Sequence, residues 1–165
     1  MRKLLLILIL TFPTILVGQD ICHWFPEKCQ HLSNETPKSK IALVIGNTNY
    51  DDDKLDLKNP INDANLISES FKKLDFNVIL KENLNQEQFL DVLEEFKEKQ
   101  DEYDFSIIYY AGHAIQDGNG NSYILPVDFT DKKQLKDARL FNISKLLRYF
   151  EDSDNNCLMI LDACR

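Results

Sequence analysis

His113 and Cys164 stand 51 positions apart, and they are the pair of side chains best suited to covalent chemistry. A cysteine attacks a carbonyl carbon as its thiolate, and a nearby imidazole can both stabilise that anion and protonate the leaving amine. Each residue also has a plain structural reading. A cysteine ending an apolar strand is commonly core, and a single histidine after a strand is commonly a packing residue. The pair gains meaning from the elements that carry it. The apolar run Phe105 to Tyr110 leads into Ala111-Gly112-His113, and the run Cys157 to Leu161 leads to Cys164. Neighbouring strands lie about 4.8 Å apart, so residues that follow two paired parallel strands meet at one sheet edge.

The remaining pattern supplies such a sheet. Ile41-Ala42-Leu43-Val44-Ile45-Gly46 reads as a strand buried on both faces. Asn59-Pro60 is a cap and first-turn pair, followed at helical spacing by Ala64, Ile67, Phe71 and Leu74. Phe76 to Leu80 predicts a second strand. Asn85 predicts the cap of a helix with Phe89, Val92, Leu93 and Phe96 on one face. Asp117-Gly118-Asn119-Gly120-Asn121 is a turn before the short strand Tyr123-Ile124-Leu125, and Asn142 caps a helix with Ile143, Leu146, Leu147 and Phe150. Strands alternating with helices predict an α/β fold, a parallel sheet with helices on both faces and its site beyond the carboxyl ends of the strands.

The chain has 165 residues, enough for one domain with a substantial core, and its formal charge of −8 argues against nucleic acid or an anionic membrane as partner. Arg2 and Lys3 precede the apolar run Leu4 to Val17. That run is short for a membrane span, which needs roughly 20 residues. It suits an export signal occupying residues 1–18 and cleaved near Gly18 or Gln19; an uncleaved N-terminal membrane anchor is the alternative. Export to the outside or to a periplasm makes Cys22 and Cys29, in the segment 19–39, an expected disulfide. Cys157 and Cys164, seven apart on a strand, point to opposite faces and do not pair. Residues 32–39 are polar and read as a linker before a domain at 40–165.

Four ordered segments carry a family resemblance. Ile41-Ala42-Leu43-Val44-Ile45-Gly46-Asn47, Asn59-Pro60-Ile61-Asn62-Asp63-Ala64, Tyr109-Tyr110-Ala111-Gly112-His113 and Leu161-Asp162-Ala163-Cys164-Arg165 resemble the caspase-like cysteine peptidases. The Asp-x-Cys ending is most similar to the metacaspase and paracaspase branch. Caspases place their histidine about 50 residues before the cysteine, which the separation here matches.

The resemblance implies a three-layer sandwich, here a large-subunit domain ending after its fourth core strand and short of the small-subunit region that relatives add. That region, or a partner chain, is then expected to complete the pocket and cover the apolar edge of the last strand. The resemblance also implies a Cys164–His113 dyad, with no third catalytic carboxylate, that hydrolyses peptide bonds through an acyl-enzyme. The oxyanion is expected at the backbone N–H groups of Cys164 and Ala114. Relatives carry glycine at the position of Ala114; if the backbone there needed positive φ, alanine would cost about 1 kcal/mol. Asp63 and Asp162 match the acids that receive arginine or lysine, so the expected substrate is a protein or peptide cut after a basic residue. No cofactor is implied. Some metacaspases use calcium, yet Asp51-Asp52-Asp53 and the Asp117–Asn121 turn match no ordered calcium loop, and no other metal site is expected. The competing function is a catalytically weak caspase-like binding module.

Overall fold

The computed structural model describes residues 5–8, 39–130, 141–151 and 156–163. In chain order these form β1 (Leu5–Leu8), β2 (Lys40–Gly46), α1 (Pro60–Lys73), β3 (Asn77–Glu82), α2 (Gln86–Gln100), β4 (Phe105–Ala111), β5 (Ala114–Gln116), β6 (Ser122–Ile124), α3 (Ile143–Glu151) and β7 (Asn156–Asp162). The five long-range partners β1, β7, β4, β2 and β3 lie side by side in that order and all run parallel. The expected α/β architecture is the one observed.

Continuous apolar runs make the central strands because both of their faces are covered. Odd-numbered residues of β2 (Ile41, Leu43, Ile45) pack with Phe89, Val92, Leu93 and Phe96 of α2 and with Leu146 and Phe150 of α3. Even-numbered Ala42 and Val44 face α1 through Ala64, Ile67 and Phe71. Among the described residues one helix covers one face and two cover the other, the two-sided layering that the alternation predicted.

Helix starts follow local chemistry. Asn85 caps α2 reciprocally with Gln88: its side chain accepts from the Gln88 N–H at 2.9 Å, and Gln88 accepts from the Asn85 N–H at 3.2 Å. Asn142 accepts from the Lys145 N–H at 3.1 Å at the start of α3. Asn59 departs from its expected role and makes no side-chain cap bond. Thr48 Oγ1 replaces it, accepting from the Ile61 N–H at 3.2 Å and tying α1 to the loop after β2.

At the other edge, Leu5–Leu8 pairs in parallel with Leu158–Leu161 of β7. The apolarity that suits an export signal also suits a strand at a sheet edge. Among the described residues, no helix is long and apolar enough to cross a membrane.

Candidate active site

β4 and β7 are neighbours, in a register that sets Ala111 beside Asp162. The loops that follow both strands therefore open at the same edge. Cys164 lies two positions past Asp162 in the sequence and falls outside the described residues, as do Cys22 and Cys29. His113 is described in full, and its surroundings orient it closely.

The imidazole Nε2 is 2.8 Å from the carbonyl oxygen of Leu55. A carbonyl only accepts, so Nε2 carries the proton in this bond and Nδ1 is the nitrogen able to take one. Leu55 closes a short 3-10 turn, Asp53–Leu55, inside the acidic loop after β2. Backbone bonds fix that loop: Leu57 N–H donates to Thr48 O at 3.0 Å and Asp51 N–H to Val127 O at 2.9 Å. Asp56 accepts from the Tyr50 N–H at 2.8 Å. Leu55 and Leu57 also pack on the buried group Tyr50, Leu125 and Val127.

Two tyrosines hold the backbone on either side of the imidazole. The Tyr50 hydroxyl accepts from the His113 N–H at 2.9 Å, and its ring lies 5.0 Å from the imidazole between centroids. The Tyr110 hydroxyl lies 2.9 Å from both the His113 and the Leu125 carbonyls and can donate to either. Burial pushes the Tyr110 phenol well above its ordinary value, and proximity to Tyr50 adds to the rise, so it stays a donor. Gly112 sits between these hydroxyls at φ +157°, and a Cβ there would fall 2.5 Å from the Tyr110 oxygen and 3.0 Å from that of Tyr50.

Ala114 begins β5 and is buried. Its φ is not positive, since among non-glycine residues only Asp75 and Asn83 have that sign in the described chain. The strain anticipated for alanine therefore does not arise. Leu125 N–H donates to His113 O at 3.0 Å, so residues 113 and 125 form a hydrogen-bonded pair. Antiparallel pairs alternate, so Ala114 and Ile124 form a non-hydrogen-bonded pair, and the Ala114 N–H points away from β6.

Asp162 and Asp63 meet from different elements. Asp162 is exposed at the end of β7 and accepts from the Tyr109 hydroxyl at 3.0 Å. Asp63 stands in the first turn of α1, which descends onto Gly46; a Cβ there would lie 2.8 Å from the Pro60 carbonyl oxygen and 2.9 Å from the Ala64 Cβ. Gly46 neighbours Ala111, which neighbours Asp162, and this close approach brings the two acids together. The Asp63 carboxyl is raised above its ordinary value, first by partial burial and then by the negative charge of Asp162.

Asp117 spends its carboxylate locally, accepting from the backbone N–H groups of Asn119 and Asn121 at 2.9 Å and from the Asn121 amide at 2.8 Å. This is the hairpin turn between β5 and β6. Among the described residues no group of three or more His, Cys, Asp or Glu side chains gathers as for a metal. Cys157 packs near Ser106 with its thiol raised above the ordinary value by burial. Tyr50, Leu55, Tyr109 and Tyr110 surround His113 and Asp162, in roles that their residue types did not announce. Tyr109 and Tyr110 stand in a segment that carries the resemblance, Tyr50 stands in a loop with no such signal, and a backbone carbonyl such as that of Leu55 has none.

A parallel sheet covered on both faces, with an oriented histidine and two acids at one edge, defines an α/β domain whose candidate site lies at the carboxyl ends of its strands. The comparisons with known proteins then give the family. A family model described as "Caspase domain" matches residues 39–165, and this chain belongs to the caspase domain family. It is 33% identical over 129 residues to the human mucosa-associated lymphoid tissue lymphoma translocation protein 1, across 78% of this chain and 15% of that protein. The mouse homologue is 30% identical over 141 residues, across 85% of this chain and 16% of its own length. The chain thus spans about a sixth of the curated relatives it matches. A crystal structure of the Geobacter sulfurreducens protein GSU0716 superposes with a TM-score of 0.51 at 15% identity, covering 76% of this chain and 50% of that one. At that identity the likeness is one of fold.

Proposed function

We propose that this chain carries the dyad of a cysteine endopeptidase that cuts protein substrates after arginine or lysine, with Cys164 as nucleophile and His113 as acid and base. One observation carries the reading. The His113 imidazole is held by the Leu55 carbonyl at the carboxyl edge of β4, next to the strand whose continuation bears Cys164. Membership of the caspase domain family supports the peptidase class.

In this mechanism Nδ1 takes the thiol proton, and the thiolate attacks the scissile carbonyl carbon. The oxyanion accepts from the N–H groups of Ala114 and Cys164. Collapse of the tetrahedral adduct breaks the C–N bond, and the imidazolium returns its proton to the leaving amine. Water then gives a proton to the imidazole as it attacks the thioester, which releases the acid and regenerates the thiol. The Leu55 carbonyl keeps the ring in the useful tautomer throughout. Asp63 and Asp162 attract the basic side chain that precedes the cut. A further segment or partner chain completes the pocket, and the protein acts after export or from an N-terminal anchor. The competing reading, a catalytically weak caspase-like binding module, loses the strain argument that Ala114 offered it, because φ there is not positive.

The test is hydrolysis by the protein expressed at its full encoded length. Fluorogenic peptides ending in Arg, Lys or Asp are compared for wild type, Cys164→Ala and His113→Ala. Turnover of the basic peptides that both substitutions reduce to background supports the proposal. Selectivity for Asp would overturn the pocket, and absence of turnover from the folded protein would overturn the dyad.

A further inference from the structure

Tyr109 sits on the α1 face of the sheet, only 4% exposed, in an apolar cluster with Ala42, Val44, Ala64, Ile107 and Ala111. Packing alone there is satisfied by phenylalanine, because a buried phenol is unfavourable unless its hydroxyl finds a partner. The partner it finds is Asp162 Oδ2, at 3.0 Å. In register Tyr109 faces Ile160 on β7, so the phenol reaches diagonally, two residues further along that strand. Asp162 is exposed and open to water, and it needs no protein donor to stay solvated. The bond therefore does something for the carboxylate other than rescue it from burial: it fixes the direction of the oxygens.

Asp63 completes the picture. Burial and the Asp162 charge both raise its carboxyl, and among the described residues no ion pair or side-chain hydrogen bond engages it. Two neighbouring acids with no neutralising cation among the described residues suit positive charge brought by a ligand. A free carboxylate can swing to follow a compact ammonium. One pinned by a phenol presents a fixed acceptor, and a fixed acceptor beside a second carboxylate suits the planar fork of a guanidinium better than a point charge.

We infer that Tyr109 is a specificity-determining positioning residue, whose hydroxyl pins Asp162 so that the acid pair selects arginine over lysine at the residue preceding the cut. This rests on the basic-pocket reading above and adds to it a direction of choice and the side chain that enforces it. Tyr109 touches the acid and not the reacting atoms, so its loss acts on substrate affinity and leaves the chemical step largely alone.

The experiment measures kcat and KM for matched Arg and Lys peptides with the full-length wild type and Tyr109→Phe, beside an Asp peptide. The expected wild type favours Arg over Lys. Tyr109→Phe raises KM for Arg roughly tenfold, the scale of one hydrogen bond to a charged group. It raises KM for Lys by less and changes kcat for neither by more than about twofold, so the preference narrows. A wild type that cleaves after basic residues, with an Arg-to-Lys ratio unaltered by Tyr109→Phe, overturns the inference and leaves the basic pocket standing. Equal losses on both substrates overturn it too, because they mark a merely structural role, as does a wild type that favours Lys. A wild type selective for Asp removes the pocket and the inference together. If Tyr109→Phe fails to fold, replacement of Tyr109 by 3-fluorotyrosine, a stronger donor of nearly the same shape, must widen the Arg preference; an unchanged ratio overturns the proposal.

Discussion

The carbonyl oxygen of Leu55 lies 2.8 Å from Nε2 of His113, although 58 positions separate the two residues. A main-chain group thus orients this imidazole, as a carboxylate does in Ser-His-Asp sites. A neutral acceptor fixes the ring and its tautomer without adding negative charge beside the imidazole. The turn that carries it is acidic and exposed on its surface, but its backbone is tied to Thr48 and Val127.

Tyr50→Phe removes the hydroxyl that accepts the His113 N–H while keeping the ring beside the imidazole. A part-buried N–H left without a partner costs roughly 1–3 kcal/mol. The expected result is a lowered denaturation midpoint of that size and a kcat reduced about tenfold, because the histidine backbone is no longer held. Urea titration and single-turnover kinetics check the two effects separately.

Gly112→Ala places a Cβ against both tyrosine hydroxyls at a φ that side-chain-bearing residues rarely adopt. Backbone strain of this kind is worth about 1–3 kcal/mol. The loss of stability is expected to exceed that of Tyr50→Phe and to be accompanied by loss of peptidase activity, read by calorimetry and by active-site titration.

Ala114→Gly is expected to do the opposite of repair. The φ of Ala114 is not positive, so glycine relieves nothing there. A glycine in a strand is destabilising by roughly 0.5–1 kcal/mol, and the Ala114 N–H is present in both variants. Thermal melts should show that small loss with kcat unchanged; a substantial rise in kcat on this substitution would show that alanine does impede the oxyanion site.

Asp63 gives a pH-dependent signature. Its folded carboxyl is raised by partial burial and by Asp162, so the folded state favours the protonated form. The ionised group is therefore unfavourable to folding above the raised value, and this penalty vanishes as pH falls below the unfolded one. Asp63→Asn is expected to leave the protein as stable as wild type or slightly more so at neutral pH, with the difference disappearing in acid. Its KM for arginine peptides should rise at neutral pH all the same. Melts across that range and paired KM measurements check both signs; a destabilised Asp63→Asn at neutral pH contradicts the repulsion argument.

The layered architecture was legible because its signals are local. Ile41 to Gly46 and Phe105 to Tyr110 are apolar without alternation, as strands covered on both faces must be, and Asn85 and Asn142 cap as their types predict. Strand order beyond the β4–β7 pairing was not written in any one segment, because it depends on crossovers. The pairing of Leu5–Leu8 with β7 was hidden by a run whose composition fits another role equally well. Asn59 misled because the Asn-Pro pair marks a helix start whether or not the asparagine side chain bonds. Around the site, Asp63 and Asp162 were readable as acids at matching motif positions. Leu55 was not, since every residue has a carbonyl and only the folded path of the loop aims this one.

Asn47 has a further consequence for motion. Its backbone N–H donates to Ala111 O at 2.9 Å, while its wholly buried side chain donates to Leu125 O at 3.1 Å and accepts from the Leu84 N–H at 3.0 Å. One amide thus fastens the ends of β2 and β4 to the loops after β3 and β6. Segments fastened in this way are expected to open together, with the amide hydrogens of Asn47, Leu84 and Leu125 exchanging only as the core opens, which hydrogen exchange would read. On that expectation the loop that bears His113 keeps the slow clock of the sheet rather than the fast one of surface loops.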